Sequence, residues 1–228
     1  MAEKIRINRV TSNLQSETGL DGCFRSCRLE ERMRHYSNPG ISITVVDGGK
    51  IAWSGGFGYK DARTREKVVN DTMFLSGSIS KPVFSLAVVK LAETRLIDLD
   101  RDVNEYLKRW RVPSRGSWQP RVTLRQLLSH TAGTTVQGFP GYKRSGSIPG
   151  VVEILKGLPP SNTDPVMVNI IPGTLMRYSG GGIVVAQTVI EDAVGIPFAR
   201  CYVPATRGRK TGSKSHLTEA ALAASIPS

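Results

Sequence analysis

Residues 75–84, Leu75-Ser76-Gly77-Ser78-Ile79-Ser80-Lys81-Pro82-Val83-Phe84, set a serine three positions before a lysine at the start of an apolar run. Residues three apart share a helix face, so a helix beginning near Ser78 brings the Lys81 amine beside the Ser78 hydroxyl. A lysine so placed can take the serine proton, provided that burial or a nearby positive charge keeps it neutral part of the time. The pair alone carries little weight, because ordinary serine and lysine frequencies supply roughly one such match in a chain of this length. The alternative is a plain helix start, with Ser78 or Ser80 as the cap and Lys81 in water.

The residues that follow favour a buried element. Val83, Phe84, Leu86, Ala87, Val88, Val89, Leu91 and Ala92 are apolar almost all the way round a helix that should run to about Arg95. Pro82 suits the first turn, where its missing N–H costs nothing. Ser78 would then stand at a helix N-terminus, whose free N–H groups and dipole favour developing negative charge.

Upstream, residues 18–36 read as a helix with Leu20, Cys23, Phe24 and Cys27 on one face. Ile41 to Val46 forms a strand, Asp47-Gly48-Gly49 a tight turn and Lys50 to Trp53 the returning strand. A loop with a short strand leads on to Asp71. Downstream, Asp98, Asp100 and Asp102 suggest a calcium loop, but Val103 and Arg109 stand where the turn glycine and the bidentate glutamate belong. Helix capping suits these aspartates better. Thr123 to Leu128 is a short helix closed by Ser129-His130-Thr131. His130 invites a Ser/His couple, yet a ring at a helix end leading into a turn is expected to bond backbone groups. Residues 135–165 read as a long loop or lid with a small helix near Val151–Lys156, and a second apolar helix runs from Ile183 to about Val194. Before it, Tyr178-Ser179-Gly180-Gly181-Gly182 sets a phenol at a loop-to-helix junction, either as a core or rim tyrosine or projecting into a cleft.

Composition narrows the classes. With 228 residues and 39% hydrophobic content the chain holds a real core. No window approaches the roughly 18 apolar residues of a membrane span, and no signal core follows Met1, so a cytoplasmic chain without a membrane partner is expected. The formal charge of +12 is scattered among acids and helix exteriors, with no aromatic RNA-binding signature, which disfavours nucleic acid as a partner. Cys23, Cys27 and Cys201 lack zinc spacing, so no metal and no cofactor is expected. A Gly-x-Ser-x-Gly elbow is absent, which sets aside an α/β-hydrolase.

Taken in order, the hairpin, Ser78-Ile79-Ser80-Lys81, the run Val122-Thr123-Leu124-Arg125-Gln126-Leu127-Leu128-Ser129-His130-Thr131-Ala132-Gly133, and Tyr178-Ser179-Gly180-Gly181-Gly182 together resemble the serine β-lactamase and penicillin-binding-protein superfamily. Within it the chain is most similar to class C β-lactamases, D-alanyl-D-alanine carboxypeptidases and β-lactamase-like carboxylesterases. The resemblance implies an α/β (α+β) fold, an antiparallel sheet flanked by helices plus a helical subdomain. It spans one domain over residues 1–200, with a hairpin part at 15–75 and a helical part at 76–200, followed by a basic tail at 201–228. It also implies a serine hydrolase acting through an acyl-enzyme on a small-molecule ester, β-lactam or D-alanyl peptide. Ser78 would be the nucleophile, Lys81 the proton acceptor or relay, and Tyr178 the group that exchanges the proton with the leaving group. Gly180 stands where the stricter β-lactamases carry asparagine, which fits an esterase better.

A third motif of that family, Lys-Thr-Gly or His-x-Gly, lies well over a hundred residues beyond the tyrosine and supplies half of the oxyanion hole. Here 50 residues follow Tyr178, and Lys210-Thr211-Gly212 lacks the apolar alternation of a strand. The chain is therefore expected to be truncated or frame-shifted after Arg200, without the C-terminal strands of the sheet. A lost oxyanion donor costs about 3–4 kcal/mol of transition-state stabilisation. Poor stability and self-association through the open hairpin edge follow as expectations, and an inactive remnant serving as a binding protein is the alternative function.

Overall fold

A computed structural model of the chain describes residues 2–15, 26–143, 145–198 and 200. The chain divides at Phe74/Leu75 into two compact units.

The first unit opens with helix α1, Ala2–Thr11, an element absent from the sequence reading. Leu14 and Cys27 then form an isolated antiparallel bridge, Cys27 N–H donating to the Leu14 carbonyl at 2.7 Å. The helix expected over 18–36 is corrected here: α2 is Leu29–His35, and Cys27 lies on extended chain. The reason is local, because Arg28 is extended and its N–H is taken by the Glu31 carboxylate at 2.9 Å, which starts the helix one residue later. Leu20, Cys23 and Phe24 lie outside the described residues.

Strands β1, Gly40–Asp47, and β2, Lys50–Asp61, form the expected hairpin. Gly48 and Gly49 both have positive φ, 53° and 72°, the backbone that a two-residue turn needs to match strand twist. The return strand reaches well past Trp53, because the ladder to β1 continues to Gly40↔Gly58 and its hydrogen bonds override the weak strand preference of Gly55, Gly56 and Gly58. Glu66–Lys67 adds β3 on the other side of β2, giving a three-stranded antiparallel sheet in the order β1-β2-β3. Among the described residues of this unit only Leu29, Trp53 and Val68 are buried apolar side chains.

The second unit is helical. A 3-10 turn, Gly77–Ile79, runs into α3, Ser80–Glu93. The sequence reading of a helix buried all round needs correction: Phe84, Ala87 and Val88 are buried, whereas Leu86 is 66% and Val89 41% exposed. The inner face meets α6, Gly180–Val194, in one core with α4, Leu124–Leu128, and α5, Val151–Lys156. Val88, Leu124, Leu127, Leu155, Val185, Val189 and Ile190 are fully enclosed, each burial worth about 1.5–3 kcal/mol before entropy is subtracted. Asp102 caps a 3-10 turn, its carboxylate accepting from Asn104 N–H at 2.9 Å, and Asp100 pairs with Arg125 at 2.6 Å, so these aspartates serve the chain itself. Thr123 caps α4 in a reciprocal pair with Gln126. The half-exposed Arg109 clasps Glu191 and the buried Asp192 at the far end of α6.

Candidate active site

Ser78 sits in the 3-10 turn and Lys81 in the first turn of α3, so the local fold meets the same-face condition of the sequence. Ser80 fastens the junction by donating its hydroxyl to the Gly77 carbonyl at 2.7 Å. The Lys81 ammonium donates to Ser78 Oγ at 3.2 Å. Ser78 itself is exposed.

Tyr178 arrives from 100 residues further on, carried by two segments that knit together. Arg177 N–H donates to the His130 carbonyl at 2.8 Å, Gly180 N–H to Gln137 at 3.0 Å and Gly181 N–H to Val136 at 2.9 Å. Ser179 caps α6, accepting from Gly182 N–H while its own hydroxyl donates to the Thr135 carbonyl at 2.6 Å. This cap starts α6 three residues before the expected Ile183, in the glycine run. A Cβ on Gly181 would come within 2.9 Å of the Thr135 carbonyl oxygen and one on Gly182 within 2.6 Å of Thr134 Oγ1, so the helix can approach the loop only where it lacks side chains. Arg177 adds a clamp: its guanidinium donates to the Thr134 carbonyl at 3.0 Å and to the Gly133 carbonyl and Asn169 Oδ1. His130 lends its ring as well, Nδ1 accepting from Ser179 N–H at 3.2 Å, the backbone role foreseen for it.

The phenol oxygen of Tyr178 lies 2.7 Å from Ser78 Oγ. Lys81 Nζ stands 5.1 Å from the centroid of the Tyr178 ring. Donation from Lys81, and then from Ser78, holds the phenol below the ordinary tyrosine range against a smaller opposing effect of burial. An ammonium only donates, so Lys81 occupies a lone pair of Ser78 Oγ and leaves the serine proton free to point at Tyr178. The arrangement can therefore move a proton from Ser78 to a phenolate and leave a nucleophilic oxygen at an exposed helix start. Burial, and next the positive charge of Lys81, lower the pKa of His130 and so disfavour its imidazolium form.

Ser78, Lys81 and Tyr178 are thus brought together, and Lys210-Thr211-Gly212 lies outside the described residues. Arg177 and the carbonyls of Gly133 and Thr134 escaped the sequence reading. A lone arginine between apolar residues and a tyrosine was the available signal. Among the described residues no cluster of His, Cys, Asp and Glu could hold a metal ion, and no helix is long and apolar enough to cross a membrane.

Residues 28–203 match the family model described as Beta-lactamase. Esterase EstB of Burkholderia gladioli is 27% identical over 193 residues, covering 79% of this chain and 48% of that protein. Protein flp of Staphylococcus aureus is 32% identical over 105 residues, covering 46% of this chain and 21% of that protein. The chain thus spans less than half the length of these curated relatives. The solved Beta-lactamase/D-alanine carboxypeptidase from Yersinia pestis shares the fold, with a TM-score of 0.60 at 23% identity over 75% of this chain and 48% of that one.

Proposed function

The chain belongs to the Beta-lactamase family, and from that premise we propose that it is a serine acyl hydrolase working through an acyl-enzyme on Ser78. The observation that carries this reading is the convergence on Ser78 Oγ of Tyr178 OH at 2.7 Å and Lys81 Nζ at 3.2 Å. In the acylation step the Ser78 proton passes to the Tyr178 phenolate as Oγ bonds to the substrate carbonyl carbon. Collapse of the tetrahedral adduct breaks the bond to the leaving oxygen, which takes the proton from Tyr178. Water then adds to the acyl-serine, giving one proton to Tyr178, and Ser78 Oγ leaves with that proton. Throughout, the hydrogen bond from Lys81, seconded by that from Ser78, lowers the pKa of the phenol and so favours its phenolate form.

An ester is the substrate class we favour over a β-lactam or a D-alanyl peptide. Gly180 is buried, and a Cβ there would press on the Gln137 carbonyl oxygen at 3.1 Å and the Phe139 ring at 3.2 Å. The second residue after Tyr178 therefore offers no side-chain amide to a substrate N–H. Esters need less help, because an alkoxide leaves more readily than an amide nitrogen.

The test is covalent labelling by a fluorophosphonate and, separately, by a fluorescent penicillin, with the adduct located by mass spectrometry. Attachment at Ser78, absent in Ser78→Ala, is the expected result, with the phosphonate the faster reagent. Folded protein that takes neither label would overturn the hydrolase reading and leave a ligand-binding member of the fold.

A further inference from the structure

We propose that His130 is a positioning residue for Tyr178, holding the phenol in register with Ser78 through its ring face and through Nδ1. For catalysis this rests on the function proposed above; the geometry stands without it.

Three independent contacts converge on this one residue. Its ring lies against that of Tyr178 with centroids 4.5 Å apart and planes tilted by 37°, inside the range of favourable aromatic pairs. Its Nδ1 takes the N–H of Ser179, the residue after Tyr178, at 3.2 Å. Its carbonyl takes the N–H of Arg177, the residue before, at 2.8 Å. The Tyr178–Ser179 peptide unit, the Met176–Arg177 unit one step upstream and the tyrosine ring itself are therefore all tied to position 130.

The demands on that position are specific. The backbone there has φ 59°, a left-handed conformation in which β-branched and bulky residues are strained but asparagine, aspartate and histidine are enriched. The side chain must also carry an acceptor at the δ position for the Ser179 N–H, which phenylalanine and tyrosine lack. Only a planar ring reaches the phenol. Asparagine meets the first two demands and fails the third, whereas phenylalanine meets the third and fails the other two. Histidine meets all of them, and only as the neutral tautomer with its proton on Nε2. An imidazolium would set an N–H against the Ser179 N–H and a second positive charge near Lys81, and burial together with Lys81 disfavours that form.

The consequence is that Tyr178 is held from behind while its oxygen faces Ser78. At 2.7 Å the Ser78–Tyr178 contact is a full hydrogen bond, and displacements on the order of 1 Å in such a pair can cost about a hundredfold in rate.

The experiment compares His130→Asn, which keeps the acceptor, with His130→Phe, which keeps the ring. Tyr178 ionisation is followed by the tyrosinate ultraviolet band, as the difference between each protein and its Tyr178→Phe counterpart, and fluorophosphonate labelling at Ser78 is timed over the same pH range. Both variants are expected to move Tyr178 ionisation up toward the ordinary tyrosine value near 10 and to slow labelling about 10- to 100-fold, with its pH profile displaced the same way. Unchanged ionisation in a folded variant of either kind would overturn the proposal. Nitrogen NMR of the wild-type ring needs no variant: an unprotonated, hydrogen-bonded Nδ1 supports it and a protonated Nδ1 sinks it. If wild-type Ser78 takes no label while Tyr178 ionisation still responds to position 130, the hydrolase reading fails and the positioning role stands.

Discussion

The two units differ in how they hold themselves together. The helical unit encloses a continuous core from Phe84 to Phe198, and every member of the proposed site, Ser78, Lys81, Tyr178 and His130, belongs to this unit. In the sheet unit, the described residues bury Leu29, Trp53 and Val68, while Val46 and Ile51 at the hairpin tip are 64% and 68% exposed. The lesson is that the chemistry was built where packing is dense, since a hydroxyl, an ammonium and a phenol can be held to tenths of an ångström only by a framework that does not yield. The sheet unit is fixed by its hydrogen-bonded ladder instead, and all four site residues lie outside it.

This contrast can be broken by substitutions graded from one region to the other. Tyr178→Phe should slow labelling at Ser78 by about 10²–10⁴ with the denaturation midpoint nearly unchanged, because only a half-exposed phenol oxygen is lost. A rate equal to wild type in a timed labelling assay would remove Tyr178 from the site. Leu127→Ala opens a cavity in the enclosed core and should cost about 2–5 kcal/mol in urea unfolding. Ile51→Ala, at the hairpin tip, should stay within about 0.5 kcal/mol by the same measurement. Similar costs for the two would erase the distinction drawn between the units.

Asp192 tests the far end of the helical unit. Burial works to raise its pKa, but the N–H groups of Lys108 and Arg109 and the Arg109 guanidinium outweigh it and hold the carboxyl below the usual range. Because the folded pKa is the lower one, its stabilisation is present above the unfolded value near 3.9 and is lost as pH falls through the folded value. Asp192→Asn should therefore cost about 1–3 kcal/mol at neutral pH, moderated by water around Arg109, and the gap to wild type should close on acidification below about pH 4. His130 gives the smallest effect and has the same sign, although here it is the neutral form that the fold favours. Its folded pKa is lowered, so the unfolded chain takes up the proton first, and wild type should lose stability relative to His130→Asn as pH falls through the unfolded value near 6.5. A parallel pair of stability curves between about pH 7.5 and 5 would contradict this.

Much of this arrangement was legible because its signals are local. The spacing of Ser78 and Lys81, the Asp47-Gly48-Gly49 turn and the Thr123 cap are read within a few residues, and the resemblance joined them in order. The rest depended on chain segments meeting. The glycines after Ser179 have poor helix propensity, yet α6 begins there because the carbonyls of Gln137 and Val136 receive the N–H groups of Gly180 and Gly181, and Ser179 Oγ that of Gly182. The outward side of α3 carries Leu86 and Val89, which an apolar count cannot tell from core. Cys27 was assigned to a helix face on spacing alone, and a single bridge to Leu14 overrode it. His130 was correctly given a backbone partner, but its contact with Tyr178 spans almost fifty positions and leaves no mark in either neighbourhood.

The Arg177 guanidinium joins its own segment, one residue away from the phenol, to two others, Gly133–Thr134 and Asn169. The amides of Ser179, Gly180 and Gly181 are bonded to the same loop, at His130 Nδ1, the Gln137 carbonyl and the Val136 carbonyl. In hydrogen exchange these amides should therefore open as a single cooperative unit rather than one by one. Such an opening would carry the Tyr178 phenol away from Ser78 without any rotation of its side chain.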